Sequence, residues 1–107
     1  MQKRIYLLST FLPVLNFLFA TSALSAEADL VKAEKVYKRS CATCHGKQGE
    51  KPAMGESKII NQLKPEEIST ALSERKAGNI PSAGSPAKQR LSEQDIHDLS
   101  EYIQTLK

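Results

Sequence analysis

The chain has 107 residues, with 15 Lys and Arg against 12 Asp and Glu, so its formal net charge is +3. This length is enough for one small domain, and no internal repeat or low-complexity tract divides it. The small positive excess gives no indication of a nucleic-acid partner.

Residues 1–26 are predicted to be an export signal. Lys3 and Arg4 provide the positive start, an apolar stretch follows, and small residues lead up to Ala26, where we expect cleavage. Residues 27–107, with 13 basic and 12 acidic side chains, would then form the mature domain in the periplasm. The alternative is an uncleaved signal that anchors the protein, since the apolar stretch approaches the roughly 20 residues of a membrane span.

The first helix of this domain is predicted between Ala28 and Arg39. Its apolar residues Leu30, Ala33, Val36 and Tyr37 recur at helical spacing, with lysines and glutamates between them. No proline or glycine interrupts the run. This helix would lead directly to the cysteines.

The only two cysteines stand in the run Cys41–His45, at the spacing that attaches a c-type haem. Two thiols three residues apart can form thioether bonds to the two vinyl groups of one porphyrin, and the adjacent imidazole can bind its iron. We therefore predict one haem c per chain, covalent through Cys41 and Cys44, with His45 as the proximal iron ligand. A large apolar cofactor would also stabilise a domain too small to bury much surface by itself.

Three other interpretations of the cysteine pair are weaker. A thioredoxin-like dithiol belongs after a strand, whereas the residues before Cys41 are predicted to be helical. A zinc site needs four ligands, and the remaining histidine, His97, falls on the exposed face of the last predicted helix. A disulfide between Cys41 and Cys44 would close too small a loop to stabilise much.

Beyond the motif, residues 46–61 combine glycine, proline and charge, as expected of irregular chain around a cofactor, with Ile59 and Ile60 packed against it. A second helix should begin at Pro65 and end before Gly78. Residues 77–90 are rich in turn-forming residues and predict a long loop.

The last helix has the clearest signals. Ser92 and Asp95 predict a capping box, and a single apolar stripe follows at helical spacing. The stripe consists of Ile96, Leu99, Tyr102, Ile103 and Leu106.

Together these features resemble the small monohaem class I cytochromes c of bacteria, over nearly all of residues 27–107. The resemblance implies an all-α fold, a cytochrome c-like orthogonal bundle of three to four helices around one covalent haem. It also implies that Tyr37, four residues before the first cysteine, packs on Tyr102 of the last helix. The family usually has glycine where this chain has Ala33, so we expect a slightly wider helix crossing.

The segment from Lys51 to Gly55 is similar to the family's loop in which a proline carbonyl accepts the second ring proton of the haem-binding histidine. The resemblance therefore implies that Pro52 orients His45 and strengthens it as a ligand. It places Met54 against the proximal face of the haem, where the family carries leucine.

The chain departs from the family on the other side of the iron. The family presents a methionine from the loop before the last helix, but residues 77–90 contain neither methionine nor histidine. The sixth ligand is thus unknown. Lys88 and Asn79 are candidates in that loop, and a water or an open position is the alternative. Lysine would have to lose its proton first.

The resemblance implies a monomeric one-electron carrier, not an enzyme, that exchanges electrons with redox proteins in the periplasm or at the membrane surface. One alternative is a five-coordinate haem that binds a small gas or peroxide, with weak peroxidase-type activity. Another is the haem subunit of a larger redox complex.

Overall fold

The computed structural model describes residues 27–107, and the predicted signal lies outside them. Within this range the chain is helical and has no strand, which confirms the predicted all-α class. None of its helices is both long and apolar enough to cross a membrane. The helices are α1 (Leu30–Ser40), α2 (Ala42–His45), α3 (Pro65–Lys76), α4 (Ser85–Gln89) and α5 (Glu93–Gln104), with 3-10 segments at Ala53–Gly55 and Ile60–Gln62.

Two short helices raise the count above the predicted three to four. Cys41 has a non-helical φ of −123° and separates α2 from α1. The other addition, α4, lies within residues 77–90, where we predicted a long loop. Pro86 stands in its first turn, where a missing N–H breaks no helical hydrogen bond.

The core forms where α1 and α3 pack against α5. Tyr37 is fully buried, and its ring centroid lies 5.6 Å from that of Tyr102, with the planes tilted by 55°. The aromatic pair is therefore confirmed, and Ala33 is buried in the same cluster. The other buried apolar residues are Ile68, Leu91, Ile96, Leu99, Ile103 and Leu106.

A buried carboxylate ties the two ends of the domain together. Asp98 of α5 is 1% exposed, and its Oδ1 accepts hydrogen bonds from the Asp29 N–H at 3.1 Å and from Gln94 Nε2 at 2.7 Å. The sequence does not distinguish this residue from its exposed polar neighbours on the same helix. Asp98 holds the residue that precedes α1, Asp29, against the last helix.

The predicted capping box at the start of α5 is confirmed. Ser92 Oγ accepts from the Asp95 N–H at 3.0 Å, and Asp95 Oδ2 accepts from the Ser92 N–H at 2.9 Å. Asp95 Oδ1 also pairs with Lys32 Nζ of α1 at 2.9 Å. The Lys32 ammonium, followed by the Ser92 N–H, lowers the pKa of Asp95.

We expect Asp95→Ala to lower the free energy of unfolding by about 1 kcal/mol, chiefly through loss of the cap, because an ion pair to an exposed lysine adds little. Folding lowers the pKa of Asp95 from its ordinary value of 3.8. The stabilisation from the ionised carboxylate is therefore fully present above about that pH and is lost as the pH falls through the folded pKa. Urea unfolding at neutral and acid pH measures the difference. Lys32→Ala, the control, should cost less, and a loss as large in acid as at neutral pH would contradict the account.

Candidate functional site

The motif residues line a cavity of about 680 Å³. Cys41, Cys44 and His45 all contribute to it, so the structure brings the three predicted site residues together. The volume lies within the roughly 300–1,000 Å³ typical of small-molecule and cofactor sites. Most of the other lining residues are apolar: Ala53, Met54, Ile60, Leu63, Ile68, Ala71, Leu72, Pro81, Ala83, Ala87, Leu91, Leu99 and Ile103.

Backbone hydrogen bonds around Cys41 set the position of the motif. The Cys41 N–H donates to the Tyr37 carbonyl at 2.9 Å and ends α1, while the Cys41 carbonyl accepts from the N–H groups of Cys44 and His45 and forms α2. The Tyr37 hydroxyl donates to the Gly46 carbonyl at 2.6 Å inside the protein. Tyr37 therefore fixes the turn that follows the histidine as well as filling the core.

Gly46 is required by the backbone at this turn. Its φ is +86°, a conformation that residues with a Cβ rarely adopt. A Cβ at this position would also collide with the Glu50 carboxylate. The glycine directly after His45 therefore allows the backbone to turn sharply where α2 ends.

Cys41 and Cys44 form no disulfide with each other, and the Cys41 thiol differs from that of a redox dithiol. Burial raises the pKa of the Cys41 thiol, whereas reactive dithiols depend on a lowered thiol pKa. Among residues 27–107, no cluster of three or more His, Cys, Asp or Glu side chains is arranged to hold a metal ion. The geometry therefore favours neither the dithiol nor the zinc interpretation.

The imidazole of His45 is half-buried, and its Nδ1 has no hydrogen-bond partner within the described chain. Burial, followed by the positive charges of Lys88 and Arg75, lowers the pKa of His45. The ring is therefore neutral at neutral pH, which is the form that binds a metal. A neutral imidazole with an unpartnered nitrogen, beside two thiols in an apolar cavity of this size, fits a covalently attached haem.

The predicted hydrogen bond from His45 to the Pro52 carbonyl is not formed. That carbonyl instead accepts from the Gly55 N–H at 3.0 Å and closes the 3-10 segment. Pro52 is also not among the residues that line the cavity, although Ala53 and Met54 are. The 3-10 turn directs the Pro52 carbonyl towards the backbone of its own segment.

Of the three residues predicted to contact the haem, Met54 and Ile60 line the cavity and Ile59 does not. Met54 lines the cavity but is 76% exposed, since the turn holds it at a φ of +54°. Ile60, and not Ile59, lines the cavity and packs against the core. The two isoleucines are adjacent in irregular chain, so hydrophobicity alone could not separate them.

The structure separates the two candidates for the sixth ligand. Lys88, on α4, lines the same cavity as His45 and is half-buried. Asn79 is exposed, does not line the cavity, and its side-chain amide donates to Glu74 Oε2 at 2.9 Å. His97 lies exposed on α5, as predicted.

Arg75 also lies in the cavity wall. It comes from α3, and its Nη1 donates to the Ala71 carbonyl at 3.0 Å. The cavity thus has three cationic side chains, Lys58, Arg75 and Lys88, within a mostly apolar lining.

Comparison with known proteins gives a consistent result. The family model described as cytochrome c matches residues 30–107, a range that includes all five helices and the cavity. Cytochrome c-553 of Helicobacter pylori strain 26695 is 42% identical over 84 residues, which covers 77% of this chain and 86% of that protein. Cytochrome c-553 of strain J99 is 43% identical over 75 residues, 68% of this chain and 77% of the relative.

Proposed function

The chain belongs to the cytochrome c family, and we propose that it carries single electrons between redox proteins of the periplasm, with His45 as an axial ligand of its iron. The predicted cofactor is confirmed: the protein carries haem c, bound covalently through Cys41 and Cys44. Bound haem c supplies an iron that takes up and releases one electron.

The placement of Cys41, Cys44 and His45 on one apolar cavity carries the proposal. The two sulfurs would hold the cofactor, and the neutral imidazole of His45 would supply a nitrogen ligand to its iron. The mostly apolar lining would lower the dielectric around the cofactor, which tunes a redox potential.

The residues around the motif support a fixed ligand geometry. The Tyr37 hydroxyl holds the turn after His45, and the Tyr37 ring is locked in the core beside Tyr102. A ligand turn tied to the core moves little between oxidation states. That is the property that a carrier needs, and it requires no group that acts on a substrate.

The proposed location follows from the signal at residues 1–26. Export would bring the chain to the compartment where we place its redox partners, and cleavage near Ala26 would leave residues 27–107 as a monomeric domain. Intact mass of the protein purified from the periplasm tests the cleavage. A full-length chain recovered with the membrane would contradict it.

We expect the absorption spectrum of the ferrous protein to stay unchanged under carbon monoxide, because a carrier keeps both axial positions of its iron filled. The spectrum is recorded before and after addition of the gas at neutral pH. A shift to that of a carbon monoxide adduct would contradict the carrier and favour a gas-binding haem.

A further inference from the structure

We propose that the side-chain amine of Lys88 would supply the second protein ligand of the haem iron, in addition to His45. This inference rests on the proposed function, because it requires iron held in the cavity by the Cys41–His45 motif. It goes beyond that function by assigning the position that the family fills with a methionine absent from residues 77–90.

The first support is position. Lys88 projects from α4 into the cavity that Cys41, Cys44 and His45 line. A side chain in this place is within reach of a cofactor attached there.

The second support is the supply of donors. Besides the motif, the nitrogen- or sulfur-bearing side chains that line the cavity are Met54, Lys58, Arg75 and Lys88. Met54 is 76% exposed and Lys58 is exposed, whereas Lys88 is half-buried. A guanidinium has no lone pair to offer, which excludes Arg75. Lys88 is the remaining nitrogen or sulfur donor among the residues that line the cavity.

The third support is the state of the amine. Within residues 27–107, the Lys88 ammonium forms no hydrogen bond and no ion pair. The amine is half-buried and has no counter-ion beside it among these residues, and as the neutral amine it is free to bind a metal.

The fourth support is the space provided by Gly84. Its φ of −84° is open to any residue, so the backbone does not require glycine at this position. A Cβ there would lie 2.6 Å from Lys88 Nζ. The missing side chain therefore leaves room for the amine of Lys88 beside the start of α4.

The test compares Lys88→Ala and Lys88→Arg with the wild-type holoprotein in the ferric state. Arginine keeps the positive charge but cannot coordinate iron, so it separates ligation from electrostatics. We expect low-spin ferric iron in the wild type and high-spin iron in both variants, by absorption and electron paramagnetic resonance. Azide should bind each variant at least about tenfold more tightly than the wild type.

Lys58→Ala is the matched control, since it removes another lysine from the edge of the same cavity. It should keep the low-spin spectrum. The mass of each denatured variant shows whether haem is still attached. Wild-type protein labelled with ¹⁵N only in lysine tests the same assignment without a mutation. If the Lys88 amine binds the iron, the low-spin iron should show a hyperfine coupling to a lysine ¹⁵N nucleus.

Low-spin iron with wild-type azide affinity in both Lys88 variants would overturn the assignment, as would the lack of a lysine ¹⁵N coupling. A wild-type spectrum in Lys88→Arg alone would assign a charge role to Lys88 and overturn ligation. In each case the carrier function survives if the wild type still exchanges one electron reversibly. Failure of that exchange would count against the carrier itself.

Discussion

Replacing Cys41 and Cys44 together by serine is expected to abolish haem attachment and, with it, the stable fold. A hydroxyl group does not form the thioether bond that a thiol forms. The apolar wall of the 680 Å³ cavity would then face water. Because a domain of this size has a net stability of only about 5–15 kcal/mol, loss of a buried cofactor is enough to unfold it.

Absorption of the purified, denatured protein and its mass measure attachment, and circular dichroism during heating measures the fold. Thr43→Ala is the control, because Thr43 lies exposed between the two cysteines. It should keep both haem and cooperative unfolding. A double serine variant that retained pigment after extraction with acidified acetone would refute thioether attachment.

Tyr37→Ala is expected to lower the free energy of unfolding of the holoprotein by about 3–5 kcal/mol, the usual cost of deleting a buried aromatic ring. Tyr37→Phe should cost only about 1 kcal/mol, because it removes one hydrogen bond from the buried Gly46 carbonyl, which still accepts from the Gly49 N–H at 3.2 Å. Denaturant unfolding of the two variants separates the contribution of the ring from that of the hydroxyl.

The Tyr37 hydroxyl also predicts a dependence on pH. Burial raises the pKa of Tyr37 to about 12 from an ordinary value of 10.0. The folded state therefore holds the proton of the Tyr37 hydroxyl more tightly than the unfolded state does. The stabilisation from this hydroxyl is present below pH 10 and is lost as the pH rises through about 12. Tyr37→Phe should remove this part of the alkaline loss of stability.

Tyr102→Phe is the matched control for Tyr37, since Tyr102 belongs to the same aromatic pair but is only partly buried. It should have little effect on stability. Equal losses for Tyr37→Phe and Tyr102→Phe would contradict the role assigned to the bond between Tyr37 and Gly46.

The parts of the protein that were predictable are those whose signals are local. The spacing of Cys41, Cys44 and His45 expresses the chemistry of attachment directly, so the motif indicated the cofactor without any structure. The capping box at Ser92 and the apolar stripe that follows it predicted α5 for the same reason, because one helix contains all of its own signals.

The remaining features depend on packing that the sequence does not display. The turn formers Gly84, Ser85 and Pro86 predicted a loop, yet they begin a short helix because proline is tolerated in a first turn. This helix is what brings Lys88 to the cavity. The choice of Ile60 over Ile59, and the local engagement of the Pro52 carbonyl, likewise result from a 3-10 geometry that composition does not reveal.

The most direct test of the account is a potentiometric titration of the intact holoprotein, followed by its absorption spectrum. The proposed carrier predicts one reversible transition with the slope of a single electron, identical in the oxidative and reductive directions and unchanged by carbon monoxide. Hysteresis between the two directions, or a midpoint that moves to higher potential under the gas, would contradict it.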